Sequence, residues 1–221
     1  MRIGIWILAL ALLVAPFVFA APTSVQNVSE GTAETYTPTI VDNNTDIAAG
    51  YVKEVNLSIE NVTGYWAGIY GNLTQSYVLA DAAGNLFYKW DVSNLSGHVL
   101  LATSTDVNWD GLTVPVSTAD VNAEVWKSSE FPPADENVES TFKTQDTAGS
   151  VCYVTNAYYV ETYDNTGASA WPTCIIKDNQ GHIVFDAPIR QDQNSFNGTK
   201  VDYQALVAAT STGTTYYFYV G

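Results

Sequence analysis

Apolar and polar residues alternate along several short segments of this chain, and turn-forming residues separate the segments. Between residues 53 and 60, Val55, Leu57 and Ile59 alternate with polar neighbours. Residues 76–81 and 86–92 flank Ala82-Ala83-Gly84-Asn85, a turn sequence between two apolar runs. Alternation with a period of two residues is typical of strands that bury one face. The chain is therefore predicted to be all-β, an antiparallel β-sandwich of Greek-key or jelly-roll type.

The same pattern defines the domain organisation. Residues 21–48 are rich in Ser, Thr, Asn and acidic residues, so they are predicted to form an extended N-terminal arm. Residues 49–221 are predicted to form a single sandwich domain. One or two short helices are expected near residues 119–143, a stretch that begins without strand alternation. Further strands are predicted at residues 98–103, 151–155, 157–163, 174–177, 182–186, 201–208 and 214–220.

The N-terminus predicts export. Met1-Arg2 precedes an apolar run over residues 3–20, and Val18-Phe19-Ala20 has the small-x-small pattern of a secretory cleavage site. Residues 1–20 are therefore interpreted as a signal peptide that is cleaved after Ala20. An uncleaved anchor is the alternative, because the run is nearly long enough to span a bilayer. No second apolar run follows, so the mature chain is expected at the cell surface or outside the cell, without a membrane span.

The charge balance excludes several classes of partner. The chain has 8 Lys and Arg against 23 Asp and Glu, which gives a formal net charge of −15. Nucleic acids are bound through clustered cations that displace counterions, and anionic lipid head groups also attract cations, so neither partner is expected. Hydrophobic residues make up 47% of the chain, so it is not a disordered acidic tail.

The only two cysteines, Cys152 and Cys174, are close enough in sequence to staple a hairpin. In an exported protein the default interpretation of such a pair is one disulfide. A metal pair or a catalytic thiol is the less favoured alternative, because no His lies near either Cys in the sequence.

Seven Asn-x-Ser/Thr sequons predict N-linked glycosylation. A composition rich in Asn, Ser and Thr also produces such triplets by chance, but several of these lie beside turn residues, where glycosylation takes place. Most are expected to carry a glycan if the host has the machinery. The sequons lie at Asn27, Asn43, Asn56, Asn61, Asn72, Asn94 and Asn197.

One loop carries half of a calcium-binding pattern. Asp106, Asn108 and Asp110 alternate before Gly111, as oxygen ligands do in the first half of a calcium loop. The twelfth position is Ser117, where the pattern requires a bidentate acid. The alternative is a polar loop whose side chains cap their own backbone. Calcium is the one cofactor that the sequence suggests.

The sequence contains no recognised catalytic motif. His98 and His182 each follow a turn Gly and are expected as solvated strand ends without a catalytic partner. The nucleophile-elbow, zinc-protease and phosphate-loop patterns do not occur. We therefore expect a protein that is not an enzyme. A secreted hydrolase with a carboxylate pair is the least favoured alternative.

Aromatic rings are a further candidate, since exposed rings stack on sugars in glycan-binding modules. Large aromatics are more often core, and Tyr88 and Trp90 share one face of their strand, as a core pair would. Trp171, beside Pro172, is expected to be the most exposed ring. The candidate set is Trp66, Tyr70, Trp90, Trp109, Trp126 and Trp171.

Several runs of residues resemble a family of exported archaeal cell-surface β-sandwich proteins. They are the block Trp66-Ala-Gly-Ile-Tyr-Gly-Asn with its flanking residues, residues 79–90, residues 102–109 and the C-terminal residues 214–220. The match covers the core of the mature chain. The resemblance implies an archaeal cell-surface setting, in which extracellular β-sandwich subunits often form filaments or envelope layers. It supplies no active site.

These observations favour a non-enzymatic extracellular structural protein, a subunit of a surface filament or envelope layer. The arm contains a strand-capable stretch with Tyr36, Pro38, Ile40 and Val41, and Pro38 lacks an N–H, so the stretch pairs fully on one side only. A neighbouring subunit with an open sheet edge would accept such a strand, which predicts a homopolymer. A flexible stalk or a strand folded back on its own domain is the alternative for the arm. A secreted glycan-binding or adhesion module is the rival function.

Overall fold

The computed structural model describes residues 21–36, 62–127 and 131–221. The described chain is mostly strand, and its strands pair in the antiparallel direction, which confirms the all-β prediction. The strands are β1 (Thr23–Ser24), β2 (Trp66–Gly71), β3 (Ser76–Ala80), β4 (Leu86–Asp91), β5 (His98–Ala102), β6 (Leu112–Thr113), β7 (Thr144–Gln145), β8 (Tyr158–Tyr163), β9 (Ser169–Asp178), β10 (Ile183–Pro188), β11 (Gln193–Asn194), β12 (Lys200–Val201), β13 (Tyr203–Ala208) and β14 (Tyr217–Val220).

Eight strands form the main sheet, in the order β1-β14-β5-β10-β9-β8-β7, with β6 paired to β9. At its centre, Val184 of β10 pairs with Ala102 of β5 on one side and with Ile176 of β9 on the other. All three residues are almost completely buried. Continuous runs of Val, Ile and Leu in β5, β9 and β10 are typical of strands that are covered on both faces.

The two faces of the main sheet carry two separate hydrophobic clusters, because successive side chains point to opposite faces. On one face, Leu101 and Phe185 pack with residues of the helical segments and of β13. On the other face, Leu100 and Ile176 pack with residues of the loops between β5 and β6 and between β7 and β8. The sheet is therefore a buried middle layer, which makes the fold sandwich-like.

A two-stranded ribbon, β2 paired with β13, is the second layer, and β13 lies against β9 and β10. β2 has no counterpart among the predicted strands. Trp66 of β2 packs edge-on against Trp126, with ring centroids 5.4 Å apart, and its indole N–H donates to the Glu136 carbonyl at 2.8 Å. Burial of these rings holds β2 on the domain.

The predicted short helices are confirmed. Helix α1 (Thr118–Val121) continues into a π-helical turn at Asn122–Trp126, and α2 (Val138–Thr141) follows. Ser117 caps α1 in a capping box with Asp120, whose carboxylate accepts from the Ser117 backbone N–H at 2.8 Å.

The predicted strand at residues 151–155 is wrong. This segment is an irregular loop, because Asp146 binds its backbone amides in place of a neighbouring strand. The buried Asp146 carboxylate accepts from the N–H groups of Ser150, Val151 and Cys152 at 3.2, 2.9 and 2.9 Å. Because the Asp146 carboxylate satisfies these three backbone N–H groups, the segment needs no neighbouring strand to do so.

The exposed position predicted for Trp171 is also wrong. β9 begins at Ser169 and includes Trp171 and Pro172, and Trp171 is only 1% exposed. β10 pairs with β9 only as far as Cys174, so Pro172 has a neighbouring strand on the β8 side alone. Its missing N–H therefore costs no hydrogen bond on the β10 side. The Trp171 indole donates to the Asn194 carbonyl at 2.8 Å, which satisfies its polar atom inside the core.

The start of the N-terminal arm lies on its own domain. β1 pairs with β14, with Thr23 opposite Val220, and the Val25 N–H donates to the Phe218 carbonyl at 2.9 Å. This corresponds to the folded-back alternative for these first residues. Residues 26–36 carry no strand, and the remaining predicted assembly residues, Pro38, Ile40 and Val41, lie outside the described residues, as does the predicted strand at 53–60.

No described helix is both long and apolar enough to cross a lipid bilayer.

Candidate functional site: an exposed aromatic hairpin

β3 and β4 form a hairpin whose turn is the predicted Ala82-Ala83-Gly84-Asn85 sequence. Asp81 organises the turn, since its carboxylate accepts from the backbone N–H groups of Ala83 and Asn85 at 3.0 and 2.8 Å. The side-chain and backbone hydrogen bonds of Asn85 lower the pKa of Asp81. Gly84 adopts φ = 85°, a conformation that residues with a side chain rarely adopt. The residues of the turn therefore specify its conformation locally.

The hairpin exposes an apolar surface that its own domain does not cover. Every residue of both strands is exposed. Seven large apolar side chains are between 47% and 82% exposed. They are Tyr77, Val78, Leu79, Leu86, Phe87, Tyr88 and Trp90.

Three rings cluster on one face of the hairpin. Tyr77 pairs directly across the strands with Trp90, and their ring centroids lie 5.6 Å apart. Tyr88 lies next to Trp90, with centroids 5.4 Å apart. A register irregularity after Leu79 leaves Phe87 without a cross-strand partner, and Phe87 is the most exposed of the large apolar side chains, at 82%. We call residues 76–80 and 86–91 the aromatic hairpin.

The prediction that Tyr88 and Trp90 form a core pair is wrong. They do share one face of their strand, but that face is open to solvent. An alternating pattern shows that a strand has an apolar face. It does not show whether that face is covered by the same domain or by another molecule.

The two strands of the aromatic hairpin carry no net charge, and the turn between them holds one carboxylate, that of Asp81. The only charged residues on its two strands are Lys89 and Asp91, whose side chains form an ion pair at 3.5 Å. Both side chains are exposed, so the pair contributes little to stability. The whole chain carries a formal charge of −15. The hairpin is thus a surface where a second acidic molecule meets little repulsion.

The stem of the hairpin is anchored to the domain by Gln191. Its side-chain oxygen accepts from the Leu95 N–H at 3.2 Å, and its side-chain nitrogen donates to the Ser93 carbonyl at 3.0 Å. The ladder continues to the Val92 N–H, which donates to the Gln75 carbonyl at 2.8 Å. Among the described strands, β3 and β4 pair only with each other. The hairpin therefore projects from a fixed stem.

All four predicted glycosylation sites within the described residues, namely Asn27, Asn72, Asn94 and Asn197, are exposed. Asn72 and Asn94 lie just outside the two ends of the aromatic hairpin. The other three sequons, at Asn43, Asn56 and Asn61, lie outside the described residues. Exposure meets the physical requirement for glycosylation, which stays a prediction.

The candidate calcium residues lie in a loop that Asp178 holds together. The Asn108 N–H donates to the Asp178 carboxylate at 2.9 Å, and the Asn108 side-chain N–H donates to Asn179 at 3.1 Å. Asp106 and Asp110 are exposed, and Asp110 lies in a 3₁₀ turn at Trp109–Gly111. Ser117 is the cap of α1, so it belongs to a helix terminus. Calcium binding stays a prediction.

The disulfide prediction is confirmed. Cys152 and Cys174 are bonded, with their Cα atoms 5.7 Å apart. Only Cys174 lies in a strand, so the bond ties the loop held by Asp146 to the middle of the main sheet. The buried carboxylate of Asp186 lies within 4.8 Å of both sulfur atoms.

Both histidines lie at strand ends and are partly exposed, as expected, but each also contacts a buried aspartate, a contact that is not predicted from the sequence. The His98 ring nitrogen Nδ1 lies 2.7 Å from Asp186, and the His182 Nδ1 lies 2.8 Å from Asp178. Both aspartates are buried. The first pair joins residues 88 positions apart, so no local pattern signals it. The second pair joins residues four positions apart, within one turn.

The pKa values of the two aspartates that contact the histidines are shifted in opposite directions. Full burial raises the pKa of Asp186 above its ordinary value, although the hydrogen bonds from His98 and the Tyr153 amide act against it. The pKa of Asp178 is lowered. Burial acts to raise it, but the hydrogen bonds donated by Asn108 and His182 have the larger effect.

The other candidate aromatics separate into core and surface. Trp126 and Trp171 are almost completely buried, and Trp66 packs against the first core cluster. Trp109 packs against Tyr219, with ring centroids 4.9 Å apart. Tyr70 is exposed and contacts Phe196 at 5.1 Å. The core interpretation is therefore confirmed for the buried rings, and Trp90 is the Trp that the structure exposes most among the described residues.

No family model, no curated protein and no solved structure matches the chain.

Proposed function

We propose that the protein is a non-enzymatic structural subunit of an extracellular surface layer or filament, and that it self-associates through the aromatic hairpin. The observation that carries this proposal is the exposure of seven large apolar side chains on two strands that no other described strand covers. Soluble monomers rarely expose a contiguous apolar surface of this kind, and such surfaces mark interaction sites.

The physical state of a lone hairpin supports the proposal. Two strands alone are marginally stable in water, and a third strand or a covering layer is needed for independent stability. The outer edges of β3 and β4 present N–H and C=O groups that a further strand can bind. A second copy that lies on the hairpin would supply both the backbone partners and the cover for Tyr77, Tyr88 and Trp90.

Electrostatic repulsion limits which surfaces of two copies can come into contact. A net charge of −15 makes most of the surface repel a second copy. The ion pair of Lys89 with Asp91 leaves the two strands of the hairpin without net charge, and Asp81 is the one carboxylate in its turn, so contact along the strands meets less of that repulsion. The signal peptide, the sequons and the resemblance to archaeal cell-surface proteins support an extracellular setting.

Strand donation by the arm remains a separate hypothesis. β1 lies on β14 of its own chain, so the described beginning of the arm is not the donated segment in this structure. Tyr36 is the only one of the four candidate residues that is described.

A glycan-binding or adhesion module is the second candidate function. The observation that favours it is the same cluster of Tyr77, Tyr88 and Trp90, because three exposed rings on one face offer apolar surface with polar groups at the edge. The proposals differ in what covers the rings, a second copy or a saccharide.

Sedimentation velocity over a concentration series tests the proposal on the mature chain, residues 21–221. Tyr88→Ser combined with Trp90→Ser is expected to weaken self-association at least about tenfold, or roughly 1.4 kcal/mol. Tyr163→Ser is the matched control, since Tyr163 is as exposed as Tyr88, at 59%, and lies on β8 away from the hairpin. A mature chain that stays monomeric at all concentrations contradicts the proposal. Loss of the oligomer on adding an oligosaccharide favours the second candidate.

A further inference from the structure

A cleft on the domain gathers two of the chain's few basic residues. It has a volume of about 340 Å³ and lies where β11 and β12 meet the loop between β8 and β9. That volume falls within the range of small-molecule sites. Its polar lining residues are Arg190, Lys200, Asp164, Gln191, Gln193 and Asn194.

The two cations of the cleft are not used in ion pairs of the described domain. Elsewhere, Lys89 pairs with Asp91 and Lys177 pairs with Asp120, at 3.5 and 2.7 Å. Within residues 21–36, 62–127 and 131–221, Arg190 and Lys200 have no carboxylate within 4.0 Å. Lys127 and Lys143 form no such ion pair within the described residues either, so the cleft differs in bringing two unpaired cations together. Their charges therefore remain available to an external anion.

Arg190 is held in position for such a contact. Its guanidinium donates to the Ala170 carbonyl, and its backbone N–H donates to the Asp202 carbonyl at 2.8 Å. One contact to a neutral carbonyl leaves further guanidinium N–H groups to donate. A planar guanidinium matches the two oxygens of a carboxylate.

Asp164 holds its own turn and does not pair with the cations. One carboxylate oxygen accepts from the Thr166 N–H and hydroxyl at 2.8 and 2.7 Å and from the Ala168 N–H at 3.1 Å. The cleft therefore carries two positive charges and one negative charge, a net charge of +1. A ligand with a single negative charge balances it, whereas a doubly charged phosphate exceeds it and meets the repulsion of an acidic protein.

The remaining lining groups suit hydroxyls. Each of Gln193 and Asn194 has a side-chain amide that donates and accepts hydrogen bonds, although the Gln193 amide nitrogen already donates once, to the Gln191 carbonyl at 3.2 Å. Asp164 also lines the cleft, and its turn uses one of its two carboxylate oxygens. Gln191 is committed to the hairpin stem through Leu95 and Ser93. One carboxylate with several hydroxyls beside it is the chemistry of a hexuronic acid.

We propose that this cleft binds an acidic monosaccharide unit, with the sugar carboxylate on Arg190 and Lys200 and the sugar hydroxyls on Gln193, Asn194 and Asp164. The unit can come from a glycan of a second copy, for which the Asn197 sequon lies three residues before Lys200, or from a separate polysaccharide. This inference does not rest on self-association through the aromatic hairpin.

Titration of the unglycosylated mature chain with glucuronate, followed by amide NMR shifts, tests the inference. Glucuronate is expected to shift amides that line the cleft and to bind at least about tenfold more tightly than glucose, which lacks the carboxylate, or acetate, which lacks the hydroxyls. Lys200→Gln and Arg190→Gln are each expected to weaken binding at least about fivefold. Lys143→Gln is the matched control, because it removes one charge from a residue that does not line the cleft.

Two results with the control ligands overturn the inference. Equal binding of glucose excludes a carboxylate site, and equal binding of acetate excludes a sugar site. A thermal unfolding scan identifies any variant that fails to fold. If Arg190→Gln fails to fold, the test relies on Lys200→Gln, because this change affects an exposed side chain. Weaker glucuronate binding to the glycosylated native protein identifies its own glycan as the source, and unchanged binding excludes that source.

Discussion

Tyr77 and Trp90 lie directly across from each other on β3 and β4, with ring centroids 5.6 Å apart, and both rings are about half exposed. Cross-strand aromatic pairs of this kind add about 0.5–1.5 kcal/mol beyond the burial of their area. The pair therefore helps to hold the hairpin together, while its outer surface stays available to a second molecule.

The hairpin surface is expected to contribute little to the stability of the isolated domain. Phe87→Ser, at the most exposed apolar position, should change the free energy of unfolding by less than about 0.5 kcal/mol. Trp171→Ala, inside the core, should cost about 3–5 kcal/mol. Urea unfolding of dilute protein measures both changes. A large loss from Phe87→Ser would mean that the hairpin packs against its own domain.

The disulfide is expected to stabilise the loop held by Asp146. Replacing Cys152 and Cys174 together by Ala should cost on the order of 3 kcal/mol, because the bond closes a loop with a sequence separation of 22 residues. The change is read from urea unfolding midpoints of the oxidised mature chain and the double variant. Equal midpoints with equal urea dependence would show that the loop is held by Asp146 alone.

Asp178 and Asp186 are predicted to give the stability of the protein opposite pH dependences. The pKa of Asp178 is lowered in the folded state, so its contribution to stability is present above its unfolded pKa of about 4 and is lost as the pH falls through the folded value. The stability deficit of Asp178→Asn should therefore shrink on acidification.

For Asp186 the sign is reversed. Its pKa is raised, so the native state binds the proton more tightly, and stability falls as the pH rises from about 4 toward the folded value. The deficit of Asp186→Asn should shrink as the pH rises over this window. Urea unfolding at a series of pH values measures both variants. Deficits that change in the same direction would refute the assignment of the two environments.

Glycans are expected at exposed sequons of the native protein, including Asn72 and Asn94 beside the stem of the hairpin. Intact-mass measurement of protein from its source should exceed the mass of residues 21–221, and peptide mapping should locate the glycans. A native mass equal to that of the bare chain is the contrary result.

The sequence predicts the elements whose signals are local. The turn at Ala82–Asn85 and the apolar runs on both sides of it predict β3 and β4 to within a residue or two. The helical segments near 119–143 and the disulfide are predicted equally well. The residues that determine the hairpin and the helical segments lie within those segments, and the disulfide joins the only two cysteines of the chain.

The remaining features depend on residues that are distant in sequence. Trp171 is buried because β11 brings the Asn194 carbonyl to its indole N–H, and a Pro at 172 gives no sign of this. Arg190 and Lys200 share a cleft only because β11 and β12 fold back on each other. For a different reason, the sequence does not predict the exposure of Tyr88 and Trp90. Apolar and polar residues alternate in the same way whether the apolar face is covered by the same chain or by a second one.

Hydrogen exchange of the mature chain at low and high protein concentration tests the central claim most directly, because it reports on the hairpin amides themselves. If a second copy covers the hairpin, peptides spanning residues 75–92 should exchange more slowly as the concentration rises, while peptides within β9 should be unaffected. The contradicting result is exchange of residues 75–92 that stays fast and independent of concentration while the protein assembles through another surface.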